Sequence, residues 1–260
     1  MPTVVDSIFR YPVKGLSAEA LSAVSLTPGE CIPQDRRFAI AKAATYIDPA
    51  RPQWLPKTSF FMLMRDEALA QLQTHFEEST GTLTIRRGGE VLAQASLIET
   101  SGRASIDAFF HRFLNDAPGA PGRLVEAPGH SFSDASRKPG STTLKYLSLL
   151  NLASIRELEK VAKVKIDPIR FRANFYLEGA RGWDELEWVG KGVRIGTARL
   201  RVLAPTTRCA ATNVNPLSAK RDLDIPDMLQ REFGHIRMGV YAEVVDGGRV
   251  SRNDLLEMEE

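Results

Sequence analysis

Apolar and polar residues alternate from position 3 to position 10. Val5, Ser7 and Phe9 fall on one side, and Val4, Asp6 and Ile8 on the other. A period of two predicts a strand, and it ends at Tyr11-Pro12, because proline fixes φ and removes a backbone donor. Val24 and Leu26 predict a second strand closed by the turn Pro28-Gly29, and Phe38 to Ala41 a third. Pro49, Pro52 and Pro56 make residues 45–58 an irregular loop around Trp54. Leu69, Leu72 and Phe76 have helical spacing and predict a short helix that stops at Gly81. Leu83 to Ala95 predicts a hairpin turning at Gly88-Gly89.

The period then lengthens. Ile106, Phe109, Phe110, Phe113 and Leu114 mark one face of an amphipathic helix, with Ser105 as its cap. The breakers in Asn115-Asp-Ala-Pro-Gly-Ala-Pro-Gly122 place a domain boundary there, dividing the chain into 1–120 and 121–260. Ile155, Leu158 and Val161 predict a second helix, started by a capping box Ser154-x-x-Glu157 and ended by Asp167-Pro168. Strands are predicted at 174–178, 192–203 and 238–245. Between the last two, Asp224 to Phe233 predicts a helix capped by Asp224, with Pro226 in its first turn and Gly234 past its end. Many short strands with few helices predict an α+β protein built around a β-barrel.

Composition narrows the class. The 260 residues carry a net charge of +2, too near neutral for a nucleic-acid partner. No apolar run spans a bilayer, and the start lacks the pattern of a signal peptide, so no membrane partner and a cytoplasmic location are expected. Two cysteines make no disulfide framework. Four histidines, His75, His111, His130 and His235, lack metal-binding spacing. Gly129-His130-Ser131-Phe132-Ser133 lacks the closing glycine of a nucleophile elbow.

The candidate chemistry centres on Cys209. It follows an alternating strand and sits among Thr206, Thr207, Arg208, Thr212, Asn213 and Asn215 rather than in an apolar run. A neighbouring guanidinium favours thiolate, the form that ligates metals or attacks. From the residues alone a buried packing thiol is the favoured alternative, since spacing says little for a lone cysteine.

Five segments, in order, carry a resemblance: Tyr11-Pro-Val-Lys14-Gly15, Asp35-Arg36-Arg37-Phe38, Phe171-Arg172-Ala173-Asn174, Trp183-Asp-Glu-Leu186, and Thr207-Arg208-Cys209 with Val214-Asn215-Pro216. Together they resemble the MOSC family, named for the C-terminal domain of molybdenum cofactor sulfurase. In pattern they are similar to the mitochondrial amidoxime-reducing component and its bacterial counterparts. The resemblance implies an N-terminal β-rich MOSC-type domain (1–120) packed on a C-terminal β-barrel MOSC domain (121–260). It also implies a molybdenum cofactor, molybdenum bound to molybdopterin, with Cys209 as the protein's metal ligand and catalytic residue. Soft sulfur donors suit such a metal.

The same resemblance makes Lys14, Gly15, Arg36, Asn151, Arg172, Asn174, Thr207 and Arg208 candidate cofactor contacts. Arginine forks suit the pterin's phosphate. Gly15 stands where relatives often have serine, and its backbone N–H is the available substitute. Adjacent strand residues face opposite ways, so one of Arg36 and Arg37 is expected to face the cofactor, and the match to the family's Asp-Arg favours Arg36. Arg172 and Asn174, two apart, would share a strand face. Asn151 is equally well placed as a helix cap, and Trp183 to Leu186 is expected to shape the fold. The implied activity is an oxidoreductase that reduces N-hydroxylated small molecules, with electrons from separate redox proteins, since no cysteines remain for an iron–sulfur domain. The alternative is a carrier that transfers the cofactor or a sulfur atom.

Overall fold

The computed structural model describes residues 2–48, 50–127, 129–133 and 145–259. The chain opens with β1 (Thr3–Arg10), β2 (Glu19–Leu21), β3 (Ala23–Leu26) and β4 (Phe38–Ala41). Then come β5 (Gln73–Glu77), β6 (Thr82–Arg87), β7 (Glu90–Ser96), helix α1 (Thr100–Phe113) and β8 (Arg123–Glu126). The second half has β9 (Leu147–Asn151), helix α2 (Leu152–Ala162), β10 (Phe175–Glu178), β11 (Gly192–Ile195) and β12 (Ala198–Thr207). Helix α3 (Ile225–Phe233), β13 (Arg237–Asp246), β14 (Gly248–Ser251) and β15 (Leu255–Met258) complete it.

Seven strands close into a barrel in the order β10-β9-β13-β12-β11-β15-β1, with β1 returning to β10. The barrel draws β1 from before residue 120 and its other six strands from after it. Only the β9–β10 pair in it is parallel, and α2 supplies the crossover that parallel neighbours need. Alternation fills the interior. In β12, Ala198, Leu200 and Val202 are buried while Arg199 and Arg201 face water. They meet Val5, Ile8, Leu149, Phe175, Val193 and Val240 from the other strands. Each such side chain contributes about 1.5–3 kcal/mol on burial.

A second core forms under α1 and the β5–β6–β7 sheet, around Phe38, Phe61, Leu69, Phe76, Ile106 and Phe110. A third joins α2 and α3 to the outside of the barrel through Leu158, Tyr176, Leu229 and Met238. No helix among the described residues is long and apolar enough to cross a membrane.

Several local expectations change. Leu69 lies in a 3-10 turn, Glu67–Gln71, and Phe76 lies in β5 rather than on a shared helix. The alternation of Thr74 and Phe76 inward against Gln73, His75 and Glu77 outward outweighs the helical spacing. Helix α1 starts earlier than Ser105, with Glu99 in the cap position. The side chain that caps α2 is Asn151, not Ser154, and Lys163 in the left-handed region ends it. Residues 192–203 split into two strands of a hairpin, β11 and β12. Arg172 is not on a strand. It ends a 3-10 turn, Pro168–Phe171, with φ +52°.

Candidate functional site

Strand β12 delivers Cys209. Its pairing with β13 shifts register three times, between Arg199 and Leu200, between Val202 and Ala204 and again between Pro205 and Thr207. Such bulges bend a strand and interrupt its alternation. The consequence is that seven consecutive residues, Leu203 to Cys209, line one cavity of about 640 Å³. Simple alternation would have sent half of them elsewhere. Cys209 is extended, with φ −129° and ψ 173°, and precedes the 3-10 turn Ala210–Asn213. Its carbonyl accepts from the Thr212 N–H at 3.0 Å and from the Thr212 hydroxyl at 2.9 Å. Its thiol is free of any disulfide and half-buried.

Arg36 and Arg172 reach the same cavity from elsewhere in the chain. Both adopt φ +52°, a conformation that costs a non-glycine residue roughly 1 kcal/mol or more and that concentrates at functional sites. Both guanidinium groups lie over the buried ring of Tyr11, at 4.8 Å and 4.3 Å from its centroid. Arg36 donates to the carbonyl of Arg172 at 3.0 Å, and Arg172 to the carbonyl of Leu16 at 2.6 Å. Asp35 is buried, pairs with Arg36 and accepts from the Tyr11 N–H at 2.8 Å. Burial raises the Tyr11 phenol above its usual value, although Arg172 and Arg36 pull it down. The phenol therefore stays a neutral donor, and its hydroxyl bonds the carbonyl of Ala173 at 3.2 Å.

Two more arginines line the wall beside the thiol. Arg208 donates to the carbonyls of Met238 and Phe171, each at 2.8 Å. Burial pulls its pKa down, against the pull of Tyr241, Tyr176 and Cys209 in the other direction. Arg170 donates to the carbonyls of Thr212 at 3.3 Å and Asn213 at 3.1 Å, and pairs with Asp222 at 2.6 Å. Among the described residues, Arg208 Nη2, Arg170 Nε and Thr206 Oγ1 are buried without a hydrogen-bond partner. Native proteins leave few such atoms unpaired, because each costs about 1–3 kcal/mol. All three belong to residues lining this cavity.

Of the expected contacts, Cys209, Arg36, Arg172, Asn174, Thr207 and Arg208 come together around the cavity. Asn174 is nonetheless committed to the wall. Its carbonyl oxygen accepts from Ser148 N–H and hydroxyl at 3.1 Å and 3.0 Å, and its amide donates to Phe9 O at 3.1 Å. Lys14, Gly15 and Asn151 do not line the cavity. Lys14 is buried and donates to the carbonyl of Phe132 at 3.0 Å. Gly15, with φ +83°, faces Leu69 and Phe61 of the second core. Asn151 accepts from Ala153 N–H at 3.0 Å as the cap of α2 and donates to Arg181 O at 2.6 Å.

Arg37 turns away to Glu126 at 2.6 Å while Arg36 lines the cavity, but the separation does not come from strand alternation: both precede β4, and Arg36 lies in a turn at φ +52°. Trp183 to Leu186 does shape the fold: Glu185 is fully buried and holds the Ser154 hydroxyl at 2.7 Å and the Gly239 N–H at 3.3 Å. Arg170, Trp54, Tyr146 and Tyr241 line the cavity without having been proposed as site residues. Only Arg170 carried a signal, lying two residues before Arg172 in Arg170-Phe-Arg172. The three aromatic residues are half-buried.

The MOSC domain family model matches residues 136–257. The chain is 22% identical over 263 residues to molybdenum cofactor sulfurase of Homo sapiens, a match covering 85% of this chain and 28% of that protein. The Bos taurus protein of the same name is 22% identical over 278 residues, covering 92% and 30%. The chain thus spans under a third of the length of these relatives. Among solved structures, YuaD from Bacillus subtilis aligns over 99% of this chain and 96% of its own at 11% identity, with a TM-score of 0.46. YiiM from Geobacillus stearothermophilus aligns over 44% and 54% at 18% identity, with a TM-score of 0.36.

Proposed function

We propose that this chain, which carries a MOSC domain over residues 136–257, binds a molybdenum cofactor through Cys209 and reduces N-hydroxylated small molecules with it. One observation carries the reading: a half-buried thiol opens on the same cavity as Arg36, Arg170, Arg172 and Arg208. Thiolate is the soft donor such a metal takes from a protein. Among the described residues no three His, Cys, Asp or Glu side chains gather as ligands, so the remaining donors would have to come with the cofactor. The donor set therefore fits a metal delivered inside an organic ligand. Among the described lining residues, four arginines and Lys57 outnumber one carboxylate, Asp35, which suits a phosphate-bearing group.

When bound, the cofactor supplies a two-electron oxygen-atom transfer. This chain's residues bind, orient and exclude water. Cys209 holds the metal, and the turn behind it is fixed by Thr212 bonding to the Cys209 carbonyl. Arg36 and Arg172 hold the phosphate, and the Thr207 hydroxyl offers a bond beside the thiol. Trp54, Tyr146 and Tyr241 receive the apolar body of the substrate. Separate redox proteins would deliver the electrons.

A carrier that transfers the cofactor or a sulfur atom is the second reading, favoured by the similarity to proteins named molybdenum cofactor sulfurase. Protein purified from a cofactor-competent host separates the two. The reductase reading expects about one molybdenum per chain and turnover of benzamidoxime with an artificial electron donor, both lost in Cys209→Ser. Stoichiometric molybdenum with no turnover on N-hydroxylated compounds favours the carrier. Wild-type protein without molybdenum removes both.

A further inference from the structure

Arg221 lies outside the cavity lining and outside the segments that carried the resemblance, yet it touches the residue next to Cys209. A hairpin brings it there. After the turn Ala210–Asn213, Val214 and Arg221 pair as an antiparallel bridge. Asn215 N–H donates to Lys220 O at 2.8 Å, and the Asn215 side chain accepts from Leu217 N–H at 2.9 Å, so the loop between them is fixed. The Arg221 fork then meets four acceptors. Nη1 donates to Ala210 O at 3.0 Å. Nη2 is shared by Leu63 O at 3.0 Å, Met64 O at 2.9 Å and the Glu67 carboxylate at 3.0 Å. One side chain thus bonds the backbone beside the thiol to a segment 158 positions earlier.

That segment leads back to the far side of the site. Leu63 and Met64 sit in a tight turn, where Asp66 N–H donates to Met62 O and the Asp66 carboxylate accepts from Met62 N–H, each at 2.9 Å. The turn presents the Leu63 and Met64 carbonyls to Arg221. Just before them, Phe61 O and Met62 Cα lie 3.5 Å and 3.7 Å from the place of a Cβ on Gly15, so this stretch packs directly on Gly15. Leu16 follows, and its carbonyl holds Arg172 at 2.6 Å. Arg170 grips the other end of the thiol's turn, at the carbonyls of Thr212 and Asn213, but from the same half of the chain as Cys209. Arg221 ties the turn to the half that carries Tyr11, Leu16 and Arg36. We propose that Arg221 is a positioning residue that holds the backbone after Cys209 against the Leu63–Met64 turn, and so fixes the thiol relative to the segment supporting Arg172. The inference rests on the functional reading in one point, that Cys209 is the group the cavity presents.

Cofactor-free protein and iodoacetamide test it, with the alkylation rate of each cysteine followed by mass spectrometry. Cys31 is the internal control. Burial, and then Asp35, push its thiol up to about 11, so it stays slow at neutral pH while its surroundings hold, and a general loosening of the protein would quicken it. Arg221→Gln is expected to raise the Cys209 rate about fivefold, the weight of one hydrogen bond in a local opening, and to leave Cys31 unchanged. Glu67→Gln removes only an exposed ion pair and should stay within about twofold of the wild type. If Arg221→Gln does not fold, Arg221→Lys, which keeps the charge without the fork, must quicken Cys209 alone. An unchanged Cys209 rate would overturn the proposal. So would an equal rise at both cysteines, the result a merely structural role predicts. Molybdenum content is no part of the readout, so wild-type protein that takes up no metal ends the functional reading and leaves this test standing.

Discussion

Arg36 donates from Nη2 to the backbone carbonyl of Arg172 at 3.0 Å, although the two lie 136 positions apart in the chain. Both guanidinium groups share the ring of Tyr11, and both residues hold φ +52°. An aromatic face attracts each cation, and the bond to Arg172 O fixes the strained backbone of one by the side chain of the other. Tyr11 is therefore the spacer that sets the arginine wall.

Replacing that spacer should separate its two contributions. Tyr11→Phe keeps the ring and loses the bond to Ala173 O, a cost of about 1 kcal/mol. Tyr11→Ala removes a fully buried ring under two cations and should cost about 3–5 kcal/mol. Denaturant midpoints measure both. Equal losses would show that the ring does not organise the arginines.

Asn151→Ala should separate stability from ligand binding. The side chain caps α2 and bonds Arg181 O, outside the cavity. The variant should lose about 1–2 kcal/mol of stability and keep the wild-type molybdenum content. A fall in molybdenum per folded chain would return Asn151 to the site.

Gly239 stands behind the wall at φ +75°. A Cβ there would lie 2.7 Å from Leu149 O and 3.1 Å from Arg208 Nη2. Gly239→Ala thus combines backbone strain with overpacking, and should destabilise the protein by about 1–3 kcal/mol. It should also displace Arg208 and lower molybdenum retention, measured on the fraction that remains folded. Full retention would show that Arg208 Nη2 does not serve the ligand.

Glu185 gives a pH prediction. Burial raises its pKa above the ordinary value of 4.5, outweighing the bonds from Ser154 and Gly239 that lower it. The native state then holds this proton to higher pH than the unfolded chain does. Its contribution to stability is complete below about pH 4.5 and declines as pH rises towards the raised native value. Glu185→Gln cannot ionise. The melting temperature of the variant minus that of the wild type should therefore climb with pH above 4.5 and level off once Glu185 is fully ionised. A flat difference would mean that Glu185 titrates normally.

Much of the architecture was legible from periodicity. The strand Thr3–Arg10, the hairpin around Gly88-Gly89 and the helix capped by Asp224 follow from patterns a few residues long, because local sterics and one-sided burial decide them. Short elements were less legible. The segment from Leu69 to Phe76 satisfies a helical spacing and a strand alternation at once, and only packing against α1 and Phe38 selects the strand.

The sequence by itself determined that one polar-flanked cysteine follows a barrel strand, and that arginines occur at positions 36, 172 and 208. Composition and alternation are properties of neighbours along the chain, so they can be read there. The tertiary structure decided which of these residues meet. The last two of three register shifts in β12 turn a whole run of residues towards one cavity, and left-handed backbone at Arg36 and Arg172 aims two distant side chains at one tyrosine. It also brought in Arg170 and set Lys14 and Asn151 to hold backbone elsewhere. Bulges and positive φ values persist only where surrounding contacts compel them, and those contacts come from segments far apart in sequence.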